Sequence, residues 1–350
     1  LKTLILLNTP VTNDAVRQIN QFATLESLNL GGTGVNDDAV ASLAPMKALR
    51  ILNLKETKIT PEAADALVKF KTLQGLDLEG TDLSDAAIEK LGGMKALNSL
   101  VLNRLKASGK TLSALAACRD LKWLSLEHAE LGPKGYASIG QLKGLTMLIL
   151  NDSNLNDEGL AALCEAGNVQ ELQLGRTTIT AKGLEPLTGL KRLQKLRLNG
   201  TDLTGEGLAS LKDVPRLGFL DLSNCKLDET SWAGLAQLES VKFLLLDDTG
   251  LNDESLKVVA EGLKPIALKL QRTKITGKGL AELAELPQLK LLDLTGVALK
   301  DEDVDALGRF KTLAQLDLTG TSLSDAAVEK LTELLPNCQI AFERKEQPTP

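Results

Sequence analysis

The single histidine of the chain, His128, stands 24 residues after Arg104 and 24 before Asp152, with Arg176 a further 24 on. A histidine set between a base and an acid at constant spacing could serve as a pH-sensitive contact, or as a general base if a nucleophile lay within hydrogen-bond reach. Ser125 is near in sequence, yet no serine or cysteine holds the matching positions of the same 24-residue frame. A metal centre finds no support either, because one histidine with Asp152 and Glu127 offers too few ligands. Cys118, Cys164, Cys225 and Cys338 are widely spaced with no CxxC pair, which reads as core filling rather than a disulfide scaffold or zinc site. Acids also recur, at Asn36-Asp37-Asp38, Ser84-Asp85, Asn156-Asp157-Glu158 and Asn252-Asp253-Glu254. Their loops lack the spacing of an EF-hand calcium loop. They read as helix N-caps with acids in the first turn, where the helix dipole favours negative charge. Nothing in these patterns calls for a cofactor or a resident metal, and no catalytic residue is assigned.

The elements that position these residues follow from an internal period. Leu25, Leu28, Leu30, Thr33 and Val35 recur as Leu49, Leu52, Leu54, Thr57 and Ile59, then as Leu73, Leu76, Leu78, Thr81 and Leu83. The frame runs from Leu1 to Leu313 in steps of 24 with no insertion or deletion, which makes fourteen repeats. The first half of each unit alternates, as in Leu73-Gln74-Gly75-Leu76-Asp77-Leu78, and predicts a short strand. The second half carries apolar residues three apart, as in Leu184, Leu187 and Leu190, and predicts one face of a short helix. Leu334, Leu335, Cys338, Ile340 and Phe342 then predict a terminal strand, and the charged, proline-containing stretch 343–350 a disordered tail. Nothing comparable precedes Leu1, so the first repeat is expected to expose Leu4, Leu6 and their neighbours at an open edge. The expectation there is either a missing N-terminal cap or an edge that meets a partner.

The pattern Leu-x-x-Leu-x-Leu-x-x-Thr-x-Leu resembles the leucine-rich-repeat family, whose ninth residue is usually Asn or Cys. Here Thr9, Thr33, Thr57, Thr81, Thr177, Thr201, Thr249, Thr273 and Thr321 hold that place, with Cys225 once. The Thr-type 24-residue form looks most like long bacterial arrays of the family. The resemblance implies an α/β solenoid over residues 1–342, a curved horseshoe with a parallel β-sheet on its concave face and short helices on its convex face. It also implies that the ninth side chain bonds backbone in the turn, which a Thr hydroxyl can do. Leu105, Ala129 and Val297 cannot, so those three turns are expected to differ locally.

Composition narrows the function. A net charge of −6 lacks the basic face that displaces phosphate counterions, which argues against a nucleic-acid partner. No apolar run approaches the length of a membrane span, so direct membrane insertion is not expected. The compartment and the oligomeric state are not assigned. With the leucines of Leu-x-Leu turned inward, the third and fifth positions of each repeat face outward from the sheet. Two apolar groups stand on these columns: Val101, Trp123, Met147 and Ile149, then Phe219, Phe243 and Leu245. Charged or polar residues lie between them, among them Lys195 and Arg197, and Arg104, His128 and Asp152 follow on the eighth position. The remaining aromatics, Phe22, Phe70, Tyr136, Trp232, Phe310 and Phe342, fall on core columns or the last strand. Exposed apolar residues flanked by charge mark interfaces, with aromatics and arginine as anchors.

The expectation is a non-catalytic module holding another protein or peptide on its concave face. The alternative is a structural subunit or scaffold meeting partners through its N-terminal edge or convex helices. Asp221, Asp247, Asp248, Asp293 and Asp317 make the later repeats more acidic, a face that would also suit a nuclease inhibitor, although Arg176, Arg197, Lys269 and Arg272 dilute it.

Overall fold

The computed structural model describes residues 1–343; all but the first residue of the tail expected at 343–350 lies outside the described residues. The chain divides into two compact units, Leu1–Thr177 with Gly189–Arg192, and Thr178–Thr188 with Leu193 onward. The first unit contains β1 (Thr3–Ile5), β2 (Ser27–Asn29), β3 (Ile51–Asn53), β4 (Gly75–Asp77), β5 (Ser99–Val101), β6 (Trp123–Ser125), β7 (Met147–Ile149) and β8 (Glu171–Gln173). The second contains β9 (Lys195–Arg197), β10 (Phe219–Asp221), β11 (Phe243–Leu245), β12 (Ala267–Lys269), β13 (Leu291–Asp293), β14 (Gln315–Asp317) and β15 (Gln339–Ala341). Within each unit every strand pairs in parallel with the next, always with the residue 24 positions away. Constant repeat length fixes this register, since one inserted residue would turn the leucines outward.

The repeat that starts at Leu73 shows how the sequence builds the unit. Leu73, Leu76 and Leu78 point inward from the strand, and Leu83, Ile88, Leu91 and Met94 close on them from the other half, all of them buried. Ser84 caps the helix Asp85–Leu91 by accepting the Ala87 N–H at 3.2 Å. Gly92 ends it where the next repeat comes close: a β-carbon there would lie 2.5 Å from the Ala114 carbonyl oxygen. Asn36, Asn156 and Asn252 cap their helices in the same way, whereas Thr12 makes no side-chain cap bond. The first-turn acids have a second task. Asp37 accepts the Thr60 N–H at 2.9 Å, Asp85 the Gly109 N–H at 3.0 Å, and Asp253 the Thr276 N–H at 2.7 Å. Each ties one repeat to the next, so these carboxylates are already satisfied as structural clasps.

The strands stop early because the eighth residue of every repeat turns left-handed, with φ between 52° and 73° from Asn8 to Gly320. That conformation aims the eighth N–H at the following repeat, as in Asn8 to the Gly31 carbonyl at 2.9 Å and Arg272 to Thr295 at 2.9 Å. The ninth-position hydroxyl then donates to the carbonyl three residues back, at 2.6 Å from Thr33 to Leu30 and 2.5 Å from Thr201 to Leu198. Ser153 does the same to Leu150 at 2.7 Å. The turns at Leu105, Ala129 and Val297, expected to differ, keep the left-handed eighth residue. Their eighth residues, Arg104, His128 and Gly296, keep φ of 58°, 55° and 70°. Ala129 and Val297 still donate their N–H to Leu126 and Leu294, at 3.2 and 3.0 Å. Backbone bonding shapes the turn, and the hydroxyl only adds one bond to it.

The core matches the inward columns. Phe70, Tyr136, Trp232 and Phe310 are buried, as are Cys118, Cys164 and Cys225, while Cys338 is half-buried. Phe22 departs from expectation and is 38% exposed, because it belongs to the first repeat and only one neighbouring repeat packs on it. Leu1, Ile5 and Leu7 of the same repeat are also exposed. Among the described residues no helix is long and apolar enough to cross a membrane.

Candidate functional site

The sheet face of the first unit carries Trp123 beside Met147, cross-strand partners on β6 and β7. Trp123 is 37% exposed, and Met147 and Val101 are half-buried. Ile149 is buried, contrary to its placement among outward residues, and Ser125 beside it is buried as well. The Ser125 hydroxyl donates to Asn103 Oδ1 at 2.7 Å.

A polar ladder borders this apolar group on the seventh position. Asn103 Nδ2 donates to Glu79 at 3.4 Å and to Glu127 at 3.3 Å, and Asn151 Nδ2 donates to Glu127 at 2.9 Å. The backbone gives this ladder its purpose. Where the fifth residue is Asn or Asp it caps the seventh N–H of its own repeat, as Asn53 does for Lys55 and Asp77 for Glu79. Where the fifth residue is Ser125 or Gln173, the seventh residue of the preceding repeat does so instead: Asn103 caps Glu127 and Asn151 caps Gly175. Reading the leucine columns alone missed this ladder, although the 24-residue recurrence of Glu79, Asn103, Glu127 and Asn151 signalled it.

Along the eighth position, Arg104 reaches across Gly80 to Glu56, with Nη1 2.8 Å from Oε1. His128 Nε2 lies 3.9 Å from Asp152, beyond hydrogen-bond length, and Asp152 is held by Arg176 through two bonds of 2.6 and 2.5 Å. That pairing keeps the Asp152 carboxyl below the usual carboxylate range. With Asp152 committed to Arg176 and Ser125 to Asn103, neither is available to activate or orient His128. The geometry forms an ion-pair row at the rim of the sheet.

The second unit displays a different face. Arg197 lies 4.8 Å over the centroid of the Phe219 ring, and its Nη1 is 3.1 Å from Asp221. Phe243, cross-strand partner of Phe219, is 45% exposed. Leu245 is half-buried and Lys195 exposed. Beyond them Asp247 caps the Gln271 N–H at 2.9 Å, Asp293 accepts Gln271 Nε2 at 2.7 Å and lies 3.5 Å from Lys269, and Asp248 pairs with Arg272. Burial pushes the Asp247 carboxyl up, and Asp293 and Asp221 add to the effect. Burial also acts on Asp293, but Thr295, Gln271 and Lys269 together hold its carboxyl low. No group of three or more His, Cys, Asp and Glu side chains gathers to hold a metal ion among the described residues.

A family model described as Leucine Rich repeat matches residues 23–44. No curated protein matches this chain by sequence. Solved structures match along almost its whole length. An internalin from Listeria monocytogenes is 20% identical, with a TM-score of 0.59 over 99% of this chain and 88% of that one. The TLR13-ssRNA13 complex gives 21% identity and a TM-score of 0.71 over 99% of this chain and 54% of that one. The mouse RP105/MD-1 complex gives 18% identity and a TM-score of 0.65 over 99% and 68%. At such identities the likeness fixes the fold and leaves the partner to the surface chemistry.

Proposed function

Because the chain has the leucine-rich-repeat fold, we propose that it is a non-catalytic module that holds another protein or peptide on the sheet face of its repeats. The observation that carries this reading is the exposure of Trp123 and Phe243 on strand faces, each beside a second apolar side chain, Met147 and Phe219. Aromatic side chains at such positions supply most of the binding free energy of an interface when a partner covers them. The ion-pair row of Arg104, His128, Asp152 and Arg176 supplies the polar rim in the first unit, and Lys195 and Arg197 supply it in the second. Structures named as complexes, TLR13-ssRNA13 and RP105/MD-1, share the fold, which supports a role in partner binding. The acidic balance favours protein over nucleic acid.

The test is capture from the native source with wild-type protein beside a Trp123→Ala/Phe243→Ala variant. Loss of the captured partner, with the melting temperature retained, is the expected result. Exposed Leu1, Ile5, Leu7 and Phe22 on the first repeat favour a second reading, a scaffold that docks through that edge. Capture that survives the double substitution and fails with Ile5→Lys establishes the second reading in place of the first.

A further inference from the structure

The sheet face of the second unit is built from two stripes that cross its strands. The third positions give an apolar stripe of Phe219, Phe243, Ala267 and Leu291, all partly or largely accessible. The fifth and seventh positions give an acidic one of Asp221, Asp247, Asp293 and Asp317. Among the described residues, the ion pairs to these acids are Arg197 with Asp221 and Lys269 with Asp293. Asp247 and Asp317 have no cation within ion-pair distance among the described residues. Asp317 Oδ1 caps the Thr319 N–H at 2.9 Å, and its other oxygen has no partner among those residues.

At the end of the acidic stripe lies a depression of about 270 Å³, lined by Leu291, Leu316 and Ala341, by Asp317 and Gln339, and by Asp293 with its ion-pair partner Lys269. Asp293 is buried and answered by Lys269, so the carboxylate offered at the rim is Asp317. An apolar lining beside one such carboxylate suits a long basic side chain, which lays its methylene stem on apolar surface and keeps its charge at the edge. The unit already contains one such arrangement of its own: Arg197 stacks on Phe219 while paired with Asp221. Charge complementarity therefore selects a basic partner over an acidic or neutral one.

We propose that this face binds a segment in which arginine or lysine alternates with apolar residues, its apolar groups on Phe243 and Leu291 and one cationic side chain in the depression against Asp317. This rests on the sheet-face binding reading above and adds the chemistry of the partner. The burial that raises the Asp247 carboxyl agrees with it, since an arriving cation would stabilise the ionised form.

The probe is a short fluorescein-labelled peptide of alternating leucine and arginine, titrated with the full chain by fluorescence anisotropy. A leucine–glutamate peptide is the control. Asp317→Asn keeps the acceptor for Thr319 and removes the charge, so the fold is retained. Glu285→Gln, in the exposed turn after the helix Gly277–Leu283, removes equal charge elsewhere. The expected result is binding of the arginine peptide alone, at least about tenfold weaker in Asp317→Asn and unchanged in Glu285→Gln. Equal weakening by both variants, or equal binding of both peptides, overturns the proposal. If Phe243→Ala abolishes binding while Asp317→Asn has no effect, the sheet-face reading stands and the cationic slot falls. If the chain self-associates through this face and Asp317→Asn abolishes that, the occupant is a second copy and the proposal fails.

Discussion

The eighth residue of each repeat shows how much one backbone angle constrains the choice of side chain. Left-handed φ favours glycine, and Gly32, Gly80, Gly200, Gly296 and Gly320 fill this position. Glu56, Arg104, His128, Arg176 and Arg272 adopt the same angle with long or bulky side chains, at a cost of roughly 1 kcal/mol each. Strain kept at a position that glycine could hold is spent on the side chain, and here that side chain is charged and exposed. His128→Gly should therefore raise stability by up to roughly 1 kcal/mol in urea denaturation while weakening partner capture. Gain of stability with undiminished capture would remove His128 from the binding surface.

Two carboxylates at this scale respond to pH in opposite directions. Asp152 has its pKa lowered in the fold by Arg176, so its contribution is present above the usual carboxylate range and is lost as pH falls through the lowered value. Arg176→Gln should return the Asp152 titration, followed by NMR, toward the ordinary range. Asp247 has its pKa raised by burial, so its contribution is present at low pH and is lost as pH rises through the raised value. Asp247→Asn, which keeps the acceptor for Gln271, should melt higher than wild type at neutral pH, and the difference should vanish in acid. A carboxylate retained against stability points to use at the surface.

Strand and turn are bound into one element by the ladder that continues past the third strand residue. Its interior leucines carry most of the energy. Leu244, fully buried on β11, should cost about 2–5 kcal/mol as Leu244→Ala. The Thr hydroxyls contribute less. Thr201 is buried and bonds Leu198, so Thr201→Val should cost on the order of 1 kcal/mol in chemical denaturation. Val297 already holds the equivalent place in a turn of unchanged backbone, so Val297→Thr should recover a similar amount. At this scale the sequence was largely legible. Leucine alternation marked the strands, and Asn36, Ser84, Asn156 and Asn252 marked helix starts. The acids after those caps were legible as first-turn residues but not as clasps, because Asp37 and Thr60 meet only when repeats stack.

Within each unit, strand pairing joins each repeat only to its neighbours, so protection against exchange should be graded along the chain. Amides of the strands inside each unit should exchange slowly, and those of β1 and β15 fast. Uniform protection from β1 onward would show that its exposed edge is covered in solution. The sequence by itself determined the repeat length, the register, the leucine columns and the identity of the outward positions. These follow from a strict 24-residue period that admits one alignment of neighbouring strands. Only the tertiary structure decided which outward residues are available: Ile149 is buried, Trp123 and Phe243 stand open, and Phe22 lies exposed at the first repeat. It also decided that Asp152 belongs to Arg176 while one Asp317 oxygen has no partner among the described residues. Periodicity fixes which face a side chain leaves from, whereas exposure and ion pairing depend on the sizes and charges of side chains from adjacent repeats, brought together only when the strands pair.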